Sequence, residues 1–344
     1  MATIKDVAER AGVSTATVSY VINKSRFVSE ERTRRVLEAI EELSFTPSKV
    51  AQSLRSGRTT TIGLVMDDIT NRFASQFTRG LENTASEQAY SIIISDLQER
   101  PENEARSIAM LVDQRVDGII YAGYGKQESQ LKELFEGGLP VVVVDKPPVG
   151  DRLPSVLIDN RASMIKALRH LKSLGHRDIL FVNGLEVNRN AVLRAEAFSE
   201  FMRNHHLPCH GDCISYGDFT LEHGYQTTVR ILEEHRKFTA LACGDDLVAF
   251  GAMAALKSRG VRVPEDVAVV GFDDDPMAAI FDPSLTTIHY PMYEMGRQSF
   301  ELFLRLSRRR RKQPERVLLD TELVVRRSTD SAYRDYYTPP GATQ

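Results

Sequence analysis

Across residues 1–45, apolar side chains return every three or four positions, the period of a helix with one buried face. Val7, Ala8 and Ala11 form one stripe, Val18, Val21 and Ile22 form a second, and Gly12-Val13 separates them. Thr3, with Asp6 three residues on, caps the first helix, and the Ser14 hydroxyl caps the second. A third helix is predicted over 30–43, capped by Ser29 and carrying Val36, Leu37, Ile40 and Leu43 as its stripe. The three share one small core. The first two, joined through Gly12, make a helix-turn-helix.

After Thr46-Pro47 the helical period stops. Ser48 opens a brief helical segment, KVAQSL, too short to be stable alone, and polar RSGRTTT follows, so 46–60 is predicted as a hinge helix and linker. From Ile62 onward the pattern becomes short β-branched runs: 62–66, 91–95, 118–122, 141–144, 155–158, 178–182, 239–243 and 267–271. Amphipathic stretches such as 77–89, 163–174 and 247–257 lie between them. Continuous apolar strands joined through helices imply parallel sheets covered on both faces. The expected fold is therefore α/β: a three-helix head on 1–45, then two doubly wound parallel-sheet subdomains within a core on 61–330. The N-subdomain is assigned about 61–159 and 289–320, the C-subdomain about 160–288 and 321–330. Residues 331–344, with Pro339-Pro340-Gly341, form a loose tail.

At 344 residues the chain has room for two or three units with sizeable cores. No apolar run reaches the roughly 20 residues that cross a bilayer, and the N-terminus lacks a basic segment followed by a hydrophobic one, so a soluble, cytoplasmic protein is expected. Three cysteines, Cys209, Cys213 and Cys243, are no disulfide framework and fit a reducing compartment. The net charge of −3 is unevenly shared: residues 1–60 hold ten Lys/Arg against seven Asp/Glu, and the remainder 34 against 40. A basic head on an acidic body suits a head that meets phosphate.

On the second helix Thr15, Ala16, Thr17, Ser19, Tyr20 and Asn23 remain outward, a small hydroxyl-rich surface able to enter a major groove. Arg32, Arg34 and Arg35 on the third helix either touch phosphate or form a solvated face. Ala51 and Leu54, three apart, make either a wedge for the minor groove or part of a plain linker. In the body, Asp67, Asp68, Asp145, Asp159, Asp245, Asp246, Asp273 and Asp274 follow strand ends, where open parallel sheets bind ligands. Such carboxylates suit a polyol, with Arg194 as donor and Phe73 or Phe219 as a stacking face; each is equally suited to capping the next helix.

Enzyme signatures are missing: the chain has no phosphate loop ending in GK[ST], no HExxH and no GxSxG. After Gly123-Tyr124-Gly125, Glu128 stands where a dinucleotide loop wants glycine. No cofactor and no metal is expected; His205, His206, Cys209, His210 and Cys213 include zinc-type ligands, at irregular spacing. The basic run 308–312 favours a helix C-terminus.

The opening, from TIKDVAERAGVSTATVSYVINKSRFVSEERTRRVLEAIEELSFTPSKVAQSLRSGRTTTIGLV, closely resembles the lactose-repressor family of bacterial transcription regulators. The resemblance continues through LKSLGHRDILFV, DDLVAFGAMAALKSRGVRVPEDVAVVGFDD, PSLTTI and ELVVRRST. It implies subdomains of periplasmic-binding-protein type and a homodimeric, ligand-responsive repressor of a pseudo-palindromic operator in double-stranded DNA. Thr15, Ala16 and Tyr20 match base-reading positions, and Ser14, Thr17, Ser19 and Asn23 phosphate-contacting ones. Leu54 matches the lever that opens the central base step, supported by Ala51. Many relatives have arginine where Tyr20 stands, and asparagine where Ser48 stands. In the cleft, Asn71, Phe73, Asp145, Asp159, Asn188, Asn190, Arg194, Phe219, Asp245 and Asp273 match effector positions. A sugar or sugar derivative is the expected effector. Asp245 replaces an asparagine common in sugar-binding relatives, and GDFTLEHG (217–224) has a counterpart in a nucleoside-responsive one, which sets a nucleoside- or purine-responsive regulator beside it as the alternative.

Overall fold

The computed structural model describes residues 2–23, 26–45, 58–70, 72–98, 100–147, 152–209, 212–308 and 313–333. The chain divides into two units, Met1–Thr61 with Gln114–Asp117, and Ile62–Asp113 with Gly118–Gln344.

In the first unit α1 (Ile4–Ala11) begins with a capping box: the Thr3 hydroxyl accepts from the Asp6 N–H at 3.4 Å and the Asp6 carboxylate accepts from the Thr3 N–H at 2.7 Å. It ends at Gly12, whose φ of 61° is the left-handed conformation that glycine adopts without strain. Two further helices follow, α2 (Thr15–Asn23) and α3 (Glu30–Glu42). Val7, Ala8, Ala11, Val18, Val36 and Ala39 form the core, with Val21, Ile22, Ile40 and Leu43 packed around it. Leu37, expected inside, is 54% exposed. The buried stripe is Val36, Ala39, Ile40 and Leu43, at helical spacing, and Leu37 lies about 100° off it. Ser29 occupies the N-cap of α3 but makes no side-chain cap bond. Arg35 turns back across the helix-turn-helix, donating to the carbonyls of Ala11 and, at 3.2 Å, Gly12.

The second unit holds two six-stranded sheets. The first contains β1 (Thr61–Met66), β2 (Ser91–Asp96), β3 (Ile119–Ala122), β4 (Val141–Val144), β5 (Ser155–Ile158) and, far along the chain, β11 (Arg316–Leu319). Its order is β11-β5-β4-β3-β1-β2. The second contains β6 (Ile179–Asn183), β7 (Ile214–Tyr216), β8 (Ala240–Cys243), β9 (Ala268–Asp273), β10 (Thr286–His289) and β12 (Glu322–Val324), in the order β12-β10-β9-β8-β6-β7. The central pairings are parallel; β12 runs antiparallel to β10. The sequence pattern does not predict β7, β10, β11 or β12, which are only three or four residues long.

Helices cover the faces. In the first lobe α4 (Arg72–Glu87) packs against α12 (Met292–Arg308), with α5 (Glu104–Asp113) and α6 (Glu128–Glu136) nearby in the chain. In the second, α7 (Asn160–Ser173), α8 (Arg189–Asn204), α9 (Leu221–Glu233), α10 (Asp246–Ser258) and the short α11 (Pro276–Ile280) surround the sheet. Each lobe brings one helix pair into backbone contact through glycine. A side-chain carbon at Gly80 would lie 2.0 Å from the Tyr293 carbonyl oxygen, and one at Gly251 2.0 Å from that of Leu221. The chain crosses between lobes after β5, after β10 and after β11, so the strand ends of both sheets face a shared cleft.

Candidate functional site

Two regions carry chemistry, the second helix of the head and the cleft of the body. On α2 the Ser14 hydroxyl accepts from the Thr17 N–H at 3.1 Å, the cap expected from the sequence. Thr15 and Ala16 are exposed, and Thr17 and Tyr20 half-buried. Ser19, expected outward, is buried at 5% exposure. It stands one position from Val18 and three from Ile22, on the flank of the inward stripe. Arg26, which the sequence reading did not single out, has its guanidinium carbon 5.2 Å from the centre of the Tyr20 ring. Of the third-helix arginines, Arg34 pairs with Glu38 at 3.1 Å, Arg35 holds the turn, and Arg32 is exposed. Ser48, Ala51, Leu54, Asn71 and the side chain of Asn23 lie outside the described residues.

The cleft encloses a cavity of about 280 Å³, at the low end of the usual range for small-molecule sites. Of the residues expected there, Phe73 and Asp145 line it from the first lobe, and Asn188, Asn190, Arg194, Phe219, Asp245 and Asp273 from the second. Asp159 does not. Its carboxylate caps α7 by accepting from the Ala162 N–H at 2.9 Å, and it is exposed; the neighbouring Asn160 is the residue that points inward. Arg72, Lys146, Asp275 and Tyr290 also line the cavity, though sequence reasoning missed them. The usable signals were Lys146, directly after Asp145 at the end of β4, and Asp275, directly after Asp273 and Asp274 at the end of β9.

Arg194 is buried, with its guanidinium carbon 3.6 Å from the centre of the Phe272 ring. It donates from Nε to Asn160 Oδ1 at 2.8 Å and from Nη1 to the Gly244 carbonyl at 2.5 Å. Asp145 receives Asn190 Nδ2 at 2.9 Å, a bond from one lobe to the other, and the hydroxyl of Tyr290. Asn188 caps α8, accepting from the Asn190 N–H at 2.9 Å. Lys146 lies 2.7 Å from Asp67 and donates to the Gly123 carbonyl at 3.1 Å. Arg72 pairs with Asp275 at 2.6 Å. The Phe219 ring sits against Gly184 and Gly244, where a side-chain carbon would come within 2.0 and 3.0 Å of it.

The aspartates differ in their surroundings. Asp246 receives the Thr287 hydroxyl at 2.6 Å and the Asp275 N–H at 2.6 Å, yet burial pushes its carboxyl up to about 8. Asp245 caps α10 by accepting from the Val248 N–H at 2.7 Å; burial lifts it to about 6, opposed by that bond and by Arg194. Burial and the charge of Asp245 hold Asp273 well above the usual carboxylate range. Asp145 and Asp273 have φ of 69° and 122°, backbone conformations that side chains rarely adopt and that cluster at functional sites.

Elsewhere, Cys209 and Cys213 are bonded to each other, one disulfide where the sequence reading expected no disulfide framework, and this removes the thiolates a zinc site would use. Cys243 is free and buried. Among the described residues no group of three or more His, Cys, Asp or Glu side chains is arranged to hold a metal, and no helix is long and apolar enough to cross a membrane.

Comparison with known proteins finds relatives for both parts of the chain. Residues 3–48 match the family described as bacterial regulatory proteins, lacI family, and residues 168–329 match a periplasmic binding protein-like domain. The chain is 35% identical to the HTH-type transcriptional repressor PurR of Histophilus somni over 330 residues, 95% of this chain and 99% of that one. Among solved structures, the lac repressor dimer bound to operator and the anti-inducer ONPF superposes with a TM-score of 0.87 at 28% identity, covering 95% of this chain and 99% of that one. The transcriptional regulator CelR in complex with cellobiose gives 0.72 at 29% identity, covering 95% and 100%.

Proposed function

The chain belongs to the lacI family of bacterial regulatory proteins, as a ligand-responsive, DNA-binding repressor and not an enzyme, and on that premise we propose that its effector is a nucleobase or nucleoside. The observation that carries this reading is the 35% identity, along 95% of the chain, to a repressor named PurR, against 28% and 29% to the lac repressor and CelR over the same share. The cleft supports it: two aromatic rings, Phe73 and Phe219, line a small cavity whose commonest polar groups are carboxylates, with the cations Arg72, Lys146 and Arg194, the amides of Asn188 and Asn190, and the Tyr290 hydroxyl. That combination suits a flat heterocycle with nitrogen donors at its edge. A carbohydrate is the second reading, favoured by the likeness to the cellobiose complex of CelR.

On operator DNA, each head would lay Thr15, Ala16 and Tyr20 in a major groove, with Ser14, Thr17 and Asn23 toward phosphate. Ser48, Ala51 and Leu54 of two hinge segments would meet in the minor groove between half-sites. The lac repressor likeness is to a dimer, and a homodimer is proposed here too. Exposed Ile94, Met110 and Val112 on the first lobe, and Leu221, Met277 and Ile280 on the second, offer apolar surface for it. Acting on the chromosome puts the protein in the cytoplasm. An effector that shifts one lobe against the other would change the hinge spacing, with a coupling of about 1–3 kcal/mol.

The test is thermal-shift and titration binding of the full chain against nucleosides and against ribose, glucose and cellobiose. Since ligand at about 100 times its Kd adds roughly 2.7 kcal/mol, a true effector raises the melting temperature clearly. Stabilisation by sugars and not by nucleosides overturns the nucleoside reading.

A further inference from the structure

We propose that the cleft selects ligands that present a nitrogen donor edge carrying positive charge, either an ammonium or an amino group beside a ring nitrogen that takes up a proton, held by Asp145, Asp245 and Asp273. This rests on the reading of the cleft as the effector site and narrows the chemistry it accepts.

The argument starts from which lining charges already have partners. Among the described residues no cation on the wall forms an ion pair with Asp145, Asp245 or Asp273, and of their charges only that of Arg194 lowers Asp245 and Asp273. Arg72 faces Asp275 at 2.6 Å, Lys146 faces Asp67 at 2.7 Å, and Arg194 donates to an amide oxygen and a carbonyl while stacking on Phe272. Asp246 is bonded at both oxygens. The other three aspartates are not. Both bonds to Asp145 fall on Oδ1, the Val248 N–H reaches only Oδ1 of Asp245, and among the described residues no side-chain or backbone donor reaches the carboxylate of Asp273. Free acceptor oxygens from both lobes thus line one cavity in which a single guanidinium, Arg194, acts on Asp245 and Asp273 without hydrogen-bonding to either, and three carboxylates outnumber it.

Their placement is costly to the fold. Asp245 is 8% exposed, and Asp145 and Asp273 are held at positive φ. Burial raises the carboxyls of Asp245 and Asp273, the signature of charge without enough compensation. A ligand cation supplies that compensation as it binds, with charge-assisted hydrogen bonds. A carbonyl edge, by contrast, turns lone pairs toward lone pairs. A neutral hydroxyl donates but brings no charge. The Phe219 ring, seated on Gly184 and Gly244, gives the rest of a flat ligand a face.

Three matched pairs of probes test the proposal by calorimetric titration of the full chain: cytidine against uridine, adenosine against inosine, and glucosamine against glucose. The amino member of at least one pair is expected to bind about tenfold or more tighter than its partner, as hydrogen bonds to charged groups imply. In Asp245→Asn, which keeps a helix-capping oxygen, that preference should fall to about threefold or less. Asp145→Asn is the second variant, with circular dichroism melts to show that each folds. Nucleosides that bind without amino preference overturn this inference and leave the nucleoside reading standing. Glucosamine binding alone, with preference over glucose, does the reverse. Preference for the oxo or hydroxyl member, or no binding of any probe at millimolar concentration, overturns the inference.

Discussion

Arg72 of the first lobe and Asp275 of the second pair at 2.6 Å across the cleft, and the same arginine donates to the Asp274 carbonyl at 3.1 Å. With both side chains mostly buried, this contact joins the two lobes directly. Arg72→Ala is expected to loosen the closed arrangement and weaken effector binding about 5- to 30-fold, in the range of a partly desolvated ion pair. Calorimetry measures the affinity and small-angle scattering the opening; an unchanged affinity would show that the pair does not hold the lobes.

Arg194 is bonded to Asn160 and Gly244 and stacked on Phe272, so it organises the floor of the cleft as well as facing the ligand. Arg194→Ala is expected to give the same operator titration with and without effector. Arg194→Lys should not restore the response, because an ammonium cannot reproduce the planar fork. A normal release from DNA by either variant counts against the cleft assignment.

Asp245 has a folded-state pKa of about 6 against an ordinary value of 3.8. A raised value means that its contribution to stability is complete at low pH and is lost as pH rises through about 6. Asp245→Asn removes that loss, so the ligand-free variant should be more stable than the parent by about 1–3 kcal/mol at pH 7.5 and nearly equal to it at pH 4. Melting curves across this range decide it. A variant that melts lower at pH 7.5 contradicts the account of the cleft as a store of uncompensated charge.

Arg35 reaches back to the carbonyls of Ala11 and Gly12, which accept no other backbone bond between elements among the described residues. Arg35→Ala should destabilise the head by about 1–3 kcal/mol. It should weaken operator binding without altering which sequences are preferred, a distinction that binding-site selection on random DNA can draw.

Phosphate contacts supply much of the affinity in this mode of binding. With about six to ten phosphates neutralised per dimer, operator affinity should fall roughly 10³- to 10⁵-fold between 50 and 200 mM salt. A shallow slope in gel-shift titrations would argue against the paired-head arrangement.

The chain's order alone determined its local grammar. The Thr3–Asp6 box, the Ser14 cap and the Gly12 turn lie within a few residues of one another, and the β-branched runs mark central strands because parallel sheets bury both faces. Family resemblance then put most of the cleft residues in one place. Its errors were small angles: Ser19 and Leu37 each sit one step, about 100°, from where the stripe turns, and Asp159 is one residue from the inward Asn160. What only the tertiary structure decided is which charges meet. Arg72 and Asp275 are far apart in sequence, as are Asp145 and Tyr290, and nothing local foretells whether an arginine meets a carboxylate, a carbonyl or a ring. Pairing depends on distance and burial, which strongly alter a charge's energy, and both are properties of the packed lobes rather than of the chain.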